Sequence, residues 1–208
     1  MIELLTANTP NGKKISIMLE EINFKYKVTK ININKDEQFK PEFKKISPFG
    51  KVPVIIDHEN NLSLFESGAI LIYLGEKSGK FYDQSQRVII NQWLMGQMGY
   101  VGPMLGQHHQ FHYYNPGKSK FGEDRYFKIS ERIYKELDER LAASPYLSGE
   151  DYTIADIATF PWIARHEWHD IGLKKFSNLL RWYNFISKRE AVIKGYDLLK
   201  KGEKIPPA

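Results

Sequence analysis

The sequence predicts an α/β domain followed by an all-α domain, and three observations support this prediction. In the first part of the chain, short apolar or β-branched runs lie on either side of a segment whose apolar residues have helical spacing. From about Arg87 onward, apolar residues recur at helical spacing. The composition changes near Ser78–Lys80, so we expect one domain over residues 1–79 and an all-helical domain over residues 86–208.

The N-terminal domain begins with a strand, a helix and a second strand. Ile2–Ala7 is a short apolar run typical of a buried strand. Thr9–Gly12 has the composition of a turn, and the apolar spacing that follows predicts a helix over Gly12–Ile22. Tyr26–Ile33 is rich in β-branched residues and predicts a second strand. This order requires a parallel strand pair with a right-handed crossover.

Two more strands complete a mixed four-stranded sheet in this prediction. Val52–Asp57 predicts a third strand with Pro53 at its start, and Leu62–Phe65 returns as its antiparallel partner in a hairpin. Glu66–Gly68 then begins a helix that carries several apolar residues. A mixed sheet with helices packed against it buries all these apolar segments.

The second half of the chain predicts a series of helices. Val88–Met98 is the first, and an apolar stripe from Tyr126 to Leu141 marks the next. Thr153–Asp156 has the form of a capping box before a third helix, and Leu179–Ile186 marks a fourth. We interpret the Lys-rich segment Lys194–Lys204 as a solvated tail.

The composition excludes several classes of function. The chain contains no cysteine, so it has no disulfide, no cysteine-ligated metal and no cysteine nucleophile. Any thiol chemistry must use a sulfur atom from a cofactor or substrate. The net charge of +5 suits an anionic small molecule, but the basic residues are interspersed, so we expect no nucleic-acid partner. Without a long apolar run or a secretory signal, we expect a cytoplasmic protein with no membrane partner.

The turn between the first strand and the first helix is a candidate site for an anion or a thiolate. Unpaired backbone N–H groups and the helix dipole stabilise negative charge at a helix start. The Thr9 hydroxyl and the Asn11 amide can add neutral hydrogen-bond donors. The same residues also suit a helix cap that binds no ligand.

Two further segments are candidate ligand contacts. A cis bond before Pro53 would present the backbone of Val52 to a ligand, although trans is the usual state of an X–Pro bond. Glu66 and Ser67 can bind the ammonium and carboxylate groups of an amino acid, or they can simply cap a helix.

The histidines do not form a recognisable metal-binding motif. His108, His109 and His112 lie close together in the chain, and His166 and His169 are another nearby pair. No HExxH pattern, glycine-rich phosphate loop or Ser-His-Asp order accompanies them. We therefore expect no metal and interpret these histidines as part of an aromatic-rich surface or cleft lining.

Taken together, these segments resemble the cytosolic glutathione transferases along nearly the whole chain. The resemblance lies in a strand followed by TPNG, in PEFKKISPFGKVPVIID, in LSLFESGAILIYL and in TIADIA. Thr9–Gly12, Gln38–Phe43, Leu64–Ile70 and Gly102–Gln107 are similar to the bacterial Nu class, which includes glutathione-dependent disulfide-bond oxidoreductases. The resemblance implies a thioredoxin-like N-terminal domain, an all-helical C-terminal domain and a homodimer.

The resemblance also implies a set of site residues. Thr9 and Asn11 match the catalytic positions near the sulfur atom of glutathione, where other classes use tyrosine or serine. Val52 would contact glutathione through its backbone, next to a cis-proline at position 53. The positions that match glutathione contacts are Asn11, Gln38, Val52, Glu66, Ser67, Gln107 and Arg125. Arg125 would act within its own subunit or across the dimer.

The implied activity is enzymatic, with glutathione as cosubstrate and no metal. The thiolate of bound glutathione would attack a small disulfide, and a second glutathione would complete the reduction. Two alternatives stay open. One is conjugation of small electrophiles, or reduction of peroxides, at the same site. The other is glutathione binding by a non-catalytic regulator.

Overall fold

The computed structural model describes residues 1–208, which fold into two compact units. The first unit comprises residues 1–82 and 189–204, and the second comprises residues 83–188 and 205–208. Residues 189–204, which the sequence assigns to the helical domain, therefore group with the first unit.

The first unit is built on a mixed four-stranded sheet in the order β2-β1-β3-β4. β1 and β2 run parallel, whereas β3 is antiparallel to both β1 and β4. The strands are β1 (Ile2–Thr6), β2 (Tyr26–Lys30), β3 (Val54–Asp57) and β4 (Leu62–Phe65). The predicted mixed sheet is therefore confirmed.

Ten α-helices follow one another along the chain. Those of the first unit are α1 (Pro10–Ile22), α2 (Pro41–Lys44), α3 (Ser67–Ser78) and α10 (Glu190–Asp197). Those of the second unit are α4 (Arg87–Gly96), α5 (Gly102–His108), α6 (Lys120–Ala142), α7 (Ile154–Ile163), α8 (His166–His169) and α9 (Ser177–Ser187). None of these helices combines the length and the apolar character that a membrane span requires.

Three strand predictions were too long at one end, the first by a single residue, since β1 ends at Thr6. The predicted second strand ran to Ile33, but β2 ends at Lys30, whose partner Thr6 is the last residue of β1. Beyond that pair the ladder has no partner residue, and Ile33–Lys35 form a 3₁₀ turn. β3 begins at Val54, so Pro53 lies ahead of the strand rather than inside it.

The interpretation of Lys194–Lys204 as a solvated tail was wrong. α10 packs against α1, where the Ser16 hydroxyl donates to the Gly195 carbonyl at 2.6 Å. The backbones approach so closely that a Cβ atom on Gly195 would lie 2.5 Å from Cα of Ile17. Tyr196 is buried as well. The lysines of this segment flank an apolar helix face, so the number of lysines alone does not show that the segment is packed.

The second unit is entirely helical, and its core is rich in aromatic side chains. Two short π-helical segments, Gln97–Val101 and His109–Tyr114, flank α5 and make the stretch from α4 to Tyr114 continuous. The capping box predicted at Thr153 is present and uses Asp156. Asp156 also accepts a hydrogen bond from the buried Trp182 indole at 2.8 Å, which ties the start of α7 to α9.

Candidate functional site

Strand register brings the predicted N-terminal site segments to one edge of the sheet. Leu5 near the end of β1 pairs with Val54 at the start of β3, and Val54 pairs with Phe65 at the end of β4. On the other side of β1, Thr6 pairs with Lys30 at the end of β2. The ends of β1, β2 and β4 therefore lie beside the start of β3.

The residues that the sequence analysis singled out follow or precede these strand ends. Thr9 and Asn11 come after β1, and Gln38 comes after β2. Val52 comes just before β3, and Glu66–Ser67 come directly after β4. Segments separated by more than fifty residues in the chain thus meet at one edge of the sheet.

Thr9 caps α1 and keeps its own hydroxyl hydrogen for another acceptor. Its Oγ1 accepts the backbone N–H of Gly12 at 3.0 Å, and a hydroxyl can accept and donate at the same time. The turn is tight, since a Cβ atom on Gly12 would lie 2.4 Å from the Ala7 carbonyl oxygen. Asn11 is the second residue of α1 and is partly exposed. Both side chains therefore stand at the positive end of the helix.

The loop before β3 has the conformation that the resemblance implies. The Val52–Pro53 peptide bond is cis, and Val52 is partly buried. The Ser47 hydroxyl fixes the preceding turn, because it donates to the Lys51 carbonyl at 2.8 Å and accepts the Lys51 N–H at 3.1 Å. The backbone at Val52 is thus held in a defined position at the sheet edge.

The start of α3 combines an exposed acid with a buried hydroxyl. Glu66 is exposed and has φ 68° and ψ 111°, a left-handed conformation that is uncommon outside glycine. Ser67 is only 3% exposed, and its hydroxyl lies 3.3 Å from Nζ of Lys14, a buried lysine on α1. This pair of side chains can contact an ammonium and a carboxylate group, respectively.

Gln38 adds a buried acceptor to the first unit. Its Nε2 donates to the Ile33 carbonyl at 3.3 Å, whereas its Oε1 is buried without a protein hydrogen-bond partner. An unsatisfied buried acceptor costs about 1–3 kcal/mol, and a ligand N–H group would recover part of that cost. Gln38 is therefore suited to bind an amide of a ligand.

Gln107 and Arg125 belong to the second unit. Gln107 lies on α5 and Arg125 on α6, and both side chains are exposed. The guanidinium carbon of Arg125 lies 6.0 Å from the ring centre of Tyr126. Their contacts with glutathione stay predictions.

The interpretation of the histidines as a surface or cleft lining was wrong for most of them. His109 Nε2 lies 2.7 Å from His169 Nε2, and the Tyr134 hydroxyl lies 2.6 Å from His169 Nδ1. His108 Nε2 is 2.9 Å from the His169 carbonyl, and all four side chains are buried. No group of three or more histidine or acidic side chains is arranged to hold a metal.

Lys14 was not predicted as a site residue. It lies on the helix whose apolar spacing was recognised, yet it is only 1% exposed and contacts Ser67. The sequence carried no signal for this burial, because apolar spacing does not show that α1 is buried on nearly all sides.

Comparison with known proteins identifies the family. Residues 2–76 match the glutathione S-transferase N-terminal domain, and residues 103–190 match the glutathione S-transferase C-terminal domain. The chain therefore belongs to the glutathione S-transferase family.

Individual relatives are similar over nearly the whole chain. The disulfide-bond oxidoreductase YfcG of Escherichia coli is 44% identical over 96% of this chain and 95% of its own length. A Burkholderia graminis glutathione transferase, solved with two glutathione molecules per subunit, has a TM-score of 0.90 at 39% identity, covering 97% of this chain and 89% of that one. A Pseudomonas putida glutathione transferase, solved with one glutathione disulfide per subunit, has a TM-score of 0.88 at 40% identity, covering 97% and 92%.

Proposed function

We propose that this protein is a glutathione-dependent disulfide-bond oxidoreductase that reduces small disulfides with the thiolate of bound glutathione. The observation that carries the proposal is the meeting of Thr9, Val52 and Glu66–Ser67 at one sheet edge, in a chain without cysteine. The glutathione and glutathione disulfide in the similar solved structures, together with the name of the Escherichia coli relative, support this substrate class.

Each group at the sheet edge has a role in binding glutathione. The Glu66 carboxylate pairs with the γ-glutamyl ammonium group, and the Ser67 hydroxyl donates to the γ-glutamyl carboxylate. The backbone of Val52 pairs with the cysteinyl backbone, which thereby adds a short strand segment at the edge. The buried Oε1 of Gln38 accepts an N–H group of the tripeptide.

Thr9, Asn11 and the start of α1 stabilise the sulfur as a thiolate. A free thiol with a pKa of about 8.5 is only a few per cent ionised at pH 7. Hydrogen bonds from the Thr9 hydroxyl and the Asn11 amide, with the dipole of α1, lower this pKa and raise the reactive fraction several-fold. These neutral donors need no protonation change of their own.

The chemistry consists of two thiol–disulfide exchanges. The glutathione thiolate attacks one sulfur of the substrate disulfide, so a mixed disulfide forms and a thiolate of the substrate leaves and takes up a proton. A second glutathione thiolate then attacks the glutathione sulfur of the mixed disulfide. Glutathione disulfide forms, and the remaining half of the substrate leaves as a thiol. Two glutathione molecules are oxidised for each disulfide reduced.

The proposal extends to a homodimer in which Gln107 and Arg125 contribute to the site. Phe49 and Phe65 support the dimer, since they form an edge-to-face pair with ring centres 6.3 Å apart and are 69% and 36% exposed. Light scattering at micromolar concentration should give twice the chain mass of 24.3 kDa. A monomer with full activity would contradict the dimer.

Steady-state assays with three substrates test the function. Each assay contains glutathione, with a small disulfide, a model electrophile or an organic peroxide as the second substrate. The proposal predicts the highest kcat/KM for the disulfide, because the site stabilises a glutathione thiolate without a tyrosine or serine activator. A higher value for the electrophile or peroxide would identify a transferase or peroxidase. Glutathione binding without turnover would identify a regulator.

A further inference from the structure

Two consecutive lysines of α1 are buried in the first unit, and their surroundings differ. Lys13 is 2% exposed and Lys14 is 1% exposed. Adjacent residues of a helix project about 100° apart, so the two side chains enter different environments. A buried ammonium group is costly unless other groups compensate its charge.

Lys13 has a complete set of structural partners. Its Nζ lies 2.8 Å from the Glu203 carboxylate and 2.7 Å from the Tyr196 carbonyl. The same atom lies 3.6 Å from the centre of the Tyr196 ring. These contacts hold the segment after α10 on α1, and they account for the buried charge by structure alone.

Lys14 is directed instead to the start of α3. Its Nζ lies 3.3 Å from the Ser67 hydroxyl, and the neighbouring Glu66 exerts an attractive charge on it. Burial lowers the pKa of Lys14 to about 7, and Glu66 opposes this shift only in part. Lys14 therefore changes its charge near neutral pH, directly beneath the residues that we assign to the γ-glutamyl group.

The charge on Lys14 determines what the Ser67 hydroxyl can do. An ammonium group only donates hydrogen bonds, so the Ser67 oxygen accepts from protonated Lys14 and its own hydrogen is directed to a different acceptor. A neutral amine can accept, so the Ser67 hydrogen can turn toward deprotonated Lys14. A ligand carboxylate at Ser67 requires the first arrangement.

We propose that Lys14 is a positioning residue that selects the γ-glutamyl carboxylate of glutathione by holding Ser67 as a donor and supplying a buried positive charge beneath it. This inference rests on the proposed function, which places that carboxylate at Ser67. It follows that binding of the carboxylate and protonation of Lys14 favour each other.

Other charged groups near α1 have partners of their own. From α3, Glu66 is the charged group that acts on Lys14. On α1 itself, Lys13 is paired with Glu203, and on β1 Glu3 is bonded to Lys27, Thr29 and His58. Toward α10, the largely buried carboxylate of Glu21 binds the partly exposed Arg189 at 2.6 Å. Of these protein groups, Lys14 is therefore the one expected to take up a proton on carboxylate binding. The ligand α-amino group that pairs with Glu66 also titrates near pH 8, and a Lys14 variant separates the two contributions.

Calorimetry with two probes tests the proposal. S-methylglutathione has no thiol to titrate, and its analogue that lacks the γ-glutamyl carboxylate removes only the group that Ser67 binds. We expect wild-type protein to prefer S-methylglutathione and to take up protons on binding it at pH 8, measured in two buffers of different ionisation enthalpy. Below pH 6 the uptake should disappear, since Lys14 is already protonated. Binding of S-methylglutathione without proton uptake at pH 8 would overturn the proposal.

Matched variants distinguish a positioning role from a structural one. Lys14→Met has a similar volume and should lower the preference for the carboxylate about tenfold and reduce the proton uptake to the share of the ligand α-amino group. Lys13→Met is the control and should keep both properties of the wild type. If Lys14→Met also keeps both, the Lys14 proposal is wrong while the proposed function stands. If wild-type protein does not bind S-methylglutathione, the proposed function fails and the Lys14 proposal fails with it.

Discussion

The two units of this protein bury titratable side chains in two different ways. In the second unit, the two ring nitrogens of His169 contact His109 Nε2 and the Tyr134 hydroxyl, and all three side chains are buried. In the first unit, Lys14 contacts the Ser67 hydroxyl beside the exposed Glu66. The His109–His169–Tyr134 cluster is buried as a whole, whereas the Lys14–Ser67 pair lies beside a residue that is exposed to solvent.

The difference between the clusters is also electrostatic. Burial lowers the pKa of His109 to about 3, lowers the pKa of His169 well below its ordinary value and raises that of Tyr134. All three side chains are therefore neutral at neutral pH, and their hydrogen bonds hold the helices together. The pKa of Lys14 lies near 7, so its charge responds to what binds nearby. A buried titratable group is a candidate for a ligand site when its pKa lies near neutral pH and its neighbours are exposed to solvent.

The largest expected effect comes from breaking the His109–His169–Tyr134 cluster. His169→Ala removes the hydrogen-bond partner of two buried side chains and leaves a cavity, so we expect a loss of about 2–4 kcal/mol in the free energy of unfolding. Urea denaturation measures this loss, and calorimetry should show unchanged glutathione affinity. His58→Ala, at a more exposed histidine, should change stability by less than about 0.5 kcal/mol. Equal stability of the two variants would contradict the structural role of the cluster.

A smaller effect is expected from the sulfur site at the sheet edge. Thr9→Ala or Asn11→Ala should lower kcat/KM for disulfide reduction by about 10–100-fold, the loss of roughly 1.4–2.7 kcal/mol of transition-state stabilisation. The double variant should lose more, but less than the sum, since both donors act on one sulfur atom. Unaltered rates in both single variants would move the sulfur site elsewhere.

Removal of the exposed acid tests the other end of the same edge. Glu66→Ala deletes a charge-assisted contact worth about 1.5–3 kcal/mol, so glutathione should bind roughly tenfold more weakly or worse. Exposed Glu59 pairs with Lys77 at the far end of β3, and Glu59→Ala is the matched control that should leave the affinity unchanged. Equal affinities of the two variants would remove Glu66 from the site.

The smallest expected effect concerns how the buried groups of the two units change the pH dependence of the free energy of unfolding. Where the unfolded chain binds more protons than the folded chain, stability rises with pH. Lys14 meets this condition above its folded pKa of about 7, so stability should rise by about 1 kcal/mol between pH 7 and pH 8. His109 and His169 meet it only below their ordinary pKa, so stability should fall as the solution is acidified below about pH 6.5. Lys14→Met should abolish the rise in stability between pH 7 and pH 8 and keep the loss of stability at acidic pH. Chemical denaturation at each pH measures both changes.

Most of the first unit could be predicted from the sequence because its signals are local. Short apolar or β-branched segments indicated the four strands, and turn residues such as Thr9 and Asn11 indicated where α1 begins. The end of β2 could not be predicted, since it depends on where β1 ends. The burial of Lys14 and His169 depends on partners far away in the chain, which periodicity does not report.

The candidate site shows the same limit. A helix cap at Thr9 or an acid at Glu66 is ambiguous alone, and the family resemblance was needed to connect them. The register of β1, β3 and β4 supplies the physical reason for their proximity.

The most direct test of the central claim is the rate at which this cysteine-free protein accelerates reduction of a small disulfide by glutathione. Reduction of 2-hydroxyethyl disulfide can be followed through glutathione disulfide, recycled by glutathione reductase with consumption of NADPH. The proposed function predicts a rate that increases with protein concentration and lies well above the rate in buffer. It also predicts a kcat/KM that is about 10–100-fold lower for Thr9→Ala. A wild-type rate equal to the buffer rate, with glutathione bound, would contradict it.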